Sequence, residues 1–403
     1  MTDKNKLLEM AESIQNEMVT YRRYLHQNPE IGLDLPGTKN YVKERLIGFG
    51  YEVEDCGKSG LVAVAGKKKD DKVFLIRGDM DALPIKEETD LEFKSENGKM
   101  HACGHDFHTS MMLGAAKILK KFEDEIEGRV KLMFQPAEET LVGAKEMIEA
   151  GVLENPKVDA ALMIHVMTGM PIPEGMIIVP PEGACSAASD WFEIHVQGKG
   201  GHGAMPDTTV DPINVASHIH QSLQAVNSRE LPPSQTAVLT IGMFKAGDTS
   251  NVIPDKAQMN GTIRTFDPEM RKFIKDRIKG ISENTAKAFR AEAEVKILDG
   301  CPSLIVDKAL SQSTYDNLTE LLSEKKVLKW EDLMGGNKMS GSEDFAFVSE
   351  KVPSVMIALS AGDANKGFNY PQHHPKAIFE ESVLSTGAAV YAYAAMKWLE
   401  KNK

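Results

Sequence analysis

Met100–Thr109 reads MHACGHDFHT, which places three histidines, one cysteine and one aspartate in ten residues around Gly104. Divalent metals of the zinc or manganese kind take imidazole, thiolate and carboxylate ligands, and a site that leaves one position to water is a hydrolytic catalyst. Cys103 and His105 flank Gly104, whose backbone freedom lets both side chains turn to one point. A cysteine and a histidine alone would more often be a core residue and a satisfied loop residue; the density of the cluster favours a metal. His101 and His108 read as groups that support the ligands or begin a helix. A second carboxylate source is FQPAEE, 134–139, where an apolar run ends in Glu138 and Glu139. Adjacent glutamates suit a division of labour in which one binds metal and the other takes a proton from bound water, although an acidic pair also suits a helix start. His165 closes LMIHV, and His373 and His374 lie near the C-terminus. Asp79 and Asp81, in IRGDMDALP, either orient a ligand imidazole or form a turn.

Such a set needs a large scaffold. At 403 residues the chain exceeds what one core usually supports, so two domains are expected. Hydrophobic periodicity predicts a helix from Asn5 to His26 stopped by Asn28-Pro29, and a second from Thr38 to Phe49 with Gly50 behind it. Strands follow at 61–65 and 73–76, then helix 107–122, strand 129–134, helix 139–150 and strand 158–166. This alternation indicates an α/β sheet, whose ligands sit beyond the carboxyl ends of the strands; Asp79, Asp81, Glu138, Glu139 and His165 all fall there.

After about Cys185 the order changes to strand 191–196, helix 211–226, strands 237–244 and 257–265, helix 268–289 and strand 293–298. That is β-α-β-β-α-β, the ferredoxin-like pattern, and it predicts an insertion at 186–299 between two parts of a first domain, 1–185 and 300–403. In the last part a helix is expected at 307–323, a short one at 342–349, a strand at 354–359 and a final helix at 381–399. Within the insertion, GKGGHGAMP (198–206) lacks the spacing of a phosphate loop but presents His202, which could donate to a developing oxyanion. Arg264, in GTIRT, is a natural bidentate partner for a substrate carboxylate.

Net charge is −12, which disfavours nucleic acid, and no apolar run is long enough to cross a bilayer. The N-terminal MTDKNKLLEM lacks a secretory pattern and only four cysteines are present, so a cytoplasmic protein acting on small molecules is expected.

Together with HQNPEIG (26–32), NVIP (251–254), GSEDFAF (341–347) and HHPKAIFEE (373–381), these motifs span nearly the whole chain in one order. In that order the chain resembles the dinuclear metallopeptidases and amidohydrolases that include hippurate hydrolase, N-acyl-amino-acid amidohydrolases and indoleacetyl-amino-acid hydrolases. The resemblance implies a mixed-sheet catalytic domain with an inserted lid and dimerisation domain, and two divalent ions (zinc, manganese, nickel or cobalt) held by Cys103, His105, Glu139, His165 and His373. It makes Cys103 the bridge and prefers His373 to His374, because the family's ligand lies two residues before the proline. It further implies Glu138 as general base and acid, Asn251 and Arg264 as groups that hold the substrate's carbonyl or carboxylate, and His202 as a group that reaches the active site of a partner subunit. Asp79 stands where more distant relatives have a ligand histidine.

Amide hydrolysis of N-acyl amino acids is the expected activity. A dipeptidase or carboxypeptidase using the same site, a noncatalytic metal-binding module, and Cys103 as a nucleophile are the alternatives.

Overall fold

The computed structural model describes residues 3–68, 71–335 and 338–403. Two compact units are present. One comprises the chain up to Gly183, a stretch from Ile305, and Asp344–Lys403; the other comprises Ala184–Leu304 and Lys338–Glu343.

The first unit opens with α1 (Lys4–Ser13) and α2 (Gln15–Gln27), where one helix was expected; Ile14 leaves helical geometry at φ −104°, ψ 9°. Pro36 opens α3 (Pro36–Gly48), as suits a residue without an amide hydrogen in a first turn. Then follow β1 (Val53–Cys56), β2 (Gly60–Ala65), β3 (Val73–Asp79), α4 (His105–Lys121), β4 (Arg129–Gln135), α5 (Gly143–Glu149), β5 (Ala160–Met167) and β6 (Ile177–Val179). The short strands β1, β6 and Val327–Lys329 were not legible, since three or four residues carry little periodicity. The short helix expected at 342–349 is confined to Ala346–Ser349.

One eight-stranded sheet runs β1-β2-β4-β3-β5, then Ser354–Ser360, β6 and Val327–Lys329. Strands β4, β3, β5 and Ser354–Ser360 are parallel, while β2 is antiparallel to β4, and β6 to Ser354–Ser360. Every residue of β3 and of Ser354–Ser360 is buried, as expected of parallel strands covered on both faces.

Beyond Arg77↔Met163 the β3–β5 pairing stops. There the hydroxyl of Tyr391, on the C-terminal helix Leu384–Lys401, donates to Arg77 O (2.7 Å) and accepts from Ile164 N (3.0 Å). A side chain thus replaces the next ladder bond, and the strands part at their carboxyl ends.

In the second unit the strands Ala188–Gln197, Ala237–Ala246, Lys256–Thr265 and Glu292–Cys301 alternate with helices Pro212–Ala225 and Pro268–Ala288 in the expected β-α-β-β-α-β order. The sheet order is Ala237–Ala246, Lys256–Thr265, Ala188–Gln197, Glu292–Cys301, with every neighbour antiparallel, which is ferredoxin-like topology. Asp211 and Asp267 cap the two helices, each with a proline in the first turn. Ile194, Ile219, Met259 and Ile278 lie in the core of this unit. Among the described residues no helix is long and apolar enough to cross a membrane.

Helix α4 carries the dense ligand motif and packs against α2 and the C-terminal helix. Gly114 permits the close approach: a Cβ there would lie 2.2 Å from Met18 Sδ and 2.9 Å from Ala388 Cβ. Gly114→Val is expected to destabilise the protein by about 2 kcal/mol through overpacking. The measurement is the urea midpoint, and an unchanged midpoint would refute this account of the crossing.

Candidate metal centre

Cys103 and His105 converge because Gly104 adopts φ +88°, in the left-handed region. A Cβ at that position would meet Val166 Cγ2 at 2.4 Å, so no larger residue fits. Around Cys103 Sγ lie His165 Nε2 at 3.5 Å and His373 Nε2 at 3.2 Å. His373 Nε2 is 3.4 Å from Glu139 Oε1, which is 3.9 Å from His105 Nε2. Two triads result, Cys103–His105–His165 and Cys103–Glu139–His373, with Cys103 common to both. Donors placed tetrahedrally at about 2.0–2.3 Å from one ion lie roughly 3.3–3.8 Å apart, and the observed spacings fit that. Buried His105 Nε2 and Glu139 Oε1 have no hydrogen-bond partner, the condition of groups awaiting a cation.

Asp81, fully buried, ties together three residues of the site: Glu138, Glu139 and His105. Its carboxylate accepts Glu138 N (3.0 Å) and Glu139 N (3.1 Å), and its carbonyl accepts His105 Nδ1–H (2.9 Å), which turns His105 Nε2 to the cluster. The glutamates lie on a loop, not on the helix start expected from 139: Ala137 and Leu141 have φ of +55° and +57°, and α5 begins only at Gly143.

Asp79 orients no ligand directly by hydrogen bond. It accepts from Arg77 Nη1 (2.6 Å) and from His108 Nδ1 (2.5 Å). His108 Nε2 in turn accepts Val166 N–H (2.8 Å), so the ring is neutral and protonated at Nδ1. Burial pulls the His108 imidazole down to about 4, against the pull of Asp79, in agreement with that tautomer. Both ring nitrogens being engaged, His108 is a brace between β3 and β5 and not a ligand. His101 is buried with neither ring nitrogen hydrogen-bonded, and burial lowers it to about 3.

Two polar networks beside the centre carried no signal in the sequence reading. Arg77 donates to Gln135 Oε1 (2.8 Å) and Asp344 Oδ1 (3.0 Å) as well as Asp79, and a charged residue inside the apolar run VFLIRGD could have marked it. On α2, Arg22 and His26 hold Asp106, next to His105, at 2.9 and 2.8 Å, and His26 also reaches Glu87 at 3.1 Å. Burial and the neighbouring Arg22 guanidinium oppose a charge on His26, but the two carboxylates facing its nitrogens, Asp106 and Glu87, outweigh them and hold its pKa above the ordinary value.

A model of the Peptidase family M20/M25/M40 matches residues 75–397. The chain belongs to that family. It is similar to thermostable carboxypeptidase 2 of Saccharolobus solfataricus, 37% identical over 98% of this chain and 99% of that protein. N-acetylcysteine deacetylase of Bacillus subtilis is 35% identical over 97% and 99%. The crystal structure of a dinuclear metal binding peptidase of the M20 family from Bacillus subtilis superposes with a TM-score of 0.80 at 33% identity, covering 96% and 99%. The mixed α/β architecture is that of the family.

In the second unit, His202 and Asn251 come together on a two-residue ribbon, Gly201–His202 against Val252–Ile253, with Gly203 N donating to Asn251 O (2.9 Å). His202 is exposed and its Nδ1 accepts from Ala204 N (3.0 Å), which leaves a proton on Nε2 to donate outward. Arg264 is half-buried, 5.8 Å from the Trp191 ring centre.

Before an ion binds, burial pushes the Glu139 carboxyl up to about 7, and Asp81 and Asp79 add to the shift while His105 opposes it. Burial, with Glu139 next, also lifts the Cys103 thiol well above its ordinary range. An arriving cation must displace those protons, and each displaced proton steepens affinity by about tenfold per pH unit. Affinity is therefore expected to rise with pH, most steeply below about 7 where Glu139 is also protonated. Chelator-competition titrations across that range check this; a flat profile would refute it.

Proposed function

We propose that the chain hydrolyses the amide bond of N-acyl amino acids, such as N-acetyl or N-benzoyl derivatives, to a carboxylic acid and a free amino acid. Glu138 carries the reading. It lies 3.8 Å from His105 Nε2, outside the two Cys103 triads although it also groups with His105 and Glu139, and so sets a second carboxylate beside the ligand set at a position suited to proton transfer. Similarity to a named N-acetylcysteine deacetylase supports the substrate class. The carboxypeptidase relative favours a second reading, in which the acyl part is a peptide and the same carboxylate is recognised.

Cys103, His105, Glu139, His165 and His373 would hold two divalent ions, Cys103 bridging; the thiolate favours zinc, whereas the imidazoles and carboxylates accept manganese, nickel or cobalt. When bound, the ions supply Lewis acidity to the scissile carbonyl and acidity to a water. Glu138 takes the proton of that water and returns it to the leaving amine. Arg264 offers its planar fork to the substrate carboxylate, Asn251 holds the carbonyl side, and His202 donates Nε2–H to the oxygen that gains charge.

The placement of these last groups supports a homodimer. His202 lies past the Lys256 end of the strand Lys256–Thr265, whereas Arg264 is at its other end, eight residues along. At about 3.3 Å per residue that is roughly 26 Å, far longer than an N-acyl amino acid. That span supports a reading in which Arg264 of one copy and the partner subunit's His202 act on the same substrate. Four free, buried cysteines accord with a cytoplasmic protein.

Glu138→Gln is expected to lower kcat by about 10³-fold with metal content unchanged. Near-normal turnover of hippurate, N-acetyl amino acids and C-terminal peptides by that variant would eliminate Glu138 as the base, and the same panel on the wild type separates the two substrate readings. Mixing inactive Glu138→Gln and His202→Ala subunits is expected to restore about a quarter of wild-type turnover under statistical exchange. No recovery from subunits shown to exchange would place His202 outside the partner's site.

A further inference from the structure

Val166 lies past the last β3–β5 pair, and both of its peptide groups go to side chains. Its amide donates to His108 Nε2. Its carbonyl accepts twice: from His165 Nδ1 at 2.7 Å and from Gln372 Nε2 at 2.9 Å. One oxygen therefore meets the side chain that aims His165 and the residue immediately before His373.

His373 is the least secured member of the ligand set. Its backbone sits at φ +65°, a left-handed conformation that is strained for a residue with a Cβ. Its side chain is 54% exposed, whereas those of His105 and Glu139 are 1% and 10% exposed. Within the turn His374 N donates to Pro371 O at 3.3 Å and the Tyr370 and His374 rings stack at 4.3 Å, but these contacts do not tie it to the residues around Cys103. Two hydrogen bonds do: His373 N to Ala102 O at 2.9 Å, on the Cys103 side, and Gln372 Nε2 to Val166 O, on the His165 side. Of these two, the second is made by a side chain and so depends on residue identity.

We infer that Gln372 is a positioning residue: by donating to the Val166 carbonyl it holds the strained turn in register with β5, so that His373 approaches Cys103 from a fixed direction. The inference rests on the dinuclear reading of the two triads. His165 keeps its own bond to Val166 O whether or not Gln372 is present. Loss of Gln372 therefore releases His373 and the Cys103–Glu139–His373 triad selectively.

The test is a stepwise titration of the metal-free, full-length protein with Co²⁺ alone, followed by cobalt absorption and calorimetry, for wild type, Gln372→Leu and Gln372→Glu. Leu removes the donor. Glu removes it as well but adds a negative charge that would by itself tighten cation binding. One of the two binding steps is expected to weaken about tenfold or more in both variants, in line with other residues that orient metal ligands, and the other to stay within about threefold. The metal-free melting temperature should not change, because the substitution lies on a partly exposed loop. Equal weakening of both steps, unchanged affinity in Gln372→Leu, or tighter binding in Gln372→Glu would each overturn the inference. Should one variant not fold, the other decides. Wild-type protein that binds cobalt in a single step without thiolate absorption would instead sink the dinuclear reading itself.

Discussion

A single buried carboxylate, Asp81, is the constraint on which the centre depends. Taking an ionised carboxylate out of water is costly unless its oxygens are hydrogen-bonded, and here the amides of Glu138 and Glu139 supply those bonds. The bonds that make the burial tolerable are the ones that place both glutamates. Through its main-chain carbonyl the same residue fixes the tautomer of His105. The loop needs such a clamp, because two of its residues hold left-handed backbone and its return is so tight that a Cβ on Gly143 would lie 1.6 Å from Pro136 O.

The crevice beyond the sheet has a similarly local cause. Tyr391 ends the β3–β5 ladder with a hydroxyl, and His108 bridges the resulting gap from Asp79 to Val166. Arg77 neutralises Asp79 and Asp344 beneath the site, with Gln135 donating to Asp344 at 2.7 Å. Buried ions of this kind contribute little net stability, but removing one partner leaves an uncompensated charge. The network is better understood as fixing geometry. With the carboxyl ends of β3, β4 and β5 tied by directional bonds, the ligand atoms are held near their working separations by the protein alone.

How much of this was legible follows from what each residue's signal is. The ligand set, the base and the alternation of strands and helices are local patterns, and Gly104 announced its turn by type and position. The ferredoxin-like order of the second unit followed from periodicity in the same way. The pattern predicts a helix from 139, but residues 139–142 are loop: an acidic pair after a proline resembles a helix start, and nothing local reveals that Asp81, 57 residues before Glu138, claims the glutamate amides. His108 and Asp79 were ambiguous for a related reason: a brace and a ligand use the same residue types, and only the partner of the second ring nitrogen tells them apart. Gln372 and the Arg22–His26–Asp106 network are long-range pairings of ordinary residues, invisible to spacing.

The two units divide the chemistry along a physical line. The candidate ligands Cys103 and His105 and the candidate base Glu138, in the first unit, are buried and restrained from several directions, as reactions that develop charge require: fixed dipoles stabilise charge without reorganising. In the second unit His202, Asn251 and Arg264 are exposed or half-buried, the first two on the two-residue ribbon and Arg264 on the four-stranded sheet. Exposed side chains keep their rotamer freedom until something orders them, so their types alone carry little geometric information. Residues that can bind a cation or move a proton are few in kind and announce themselves by type and spacing, whereas the shape of a pocket depends on how many ordinary side chains pack. That is why the sequence declares the chemistry far more plainly than the substrate.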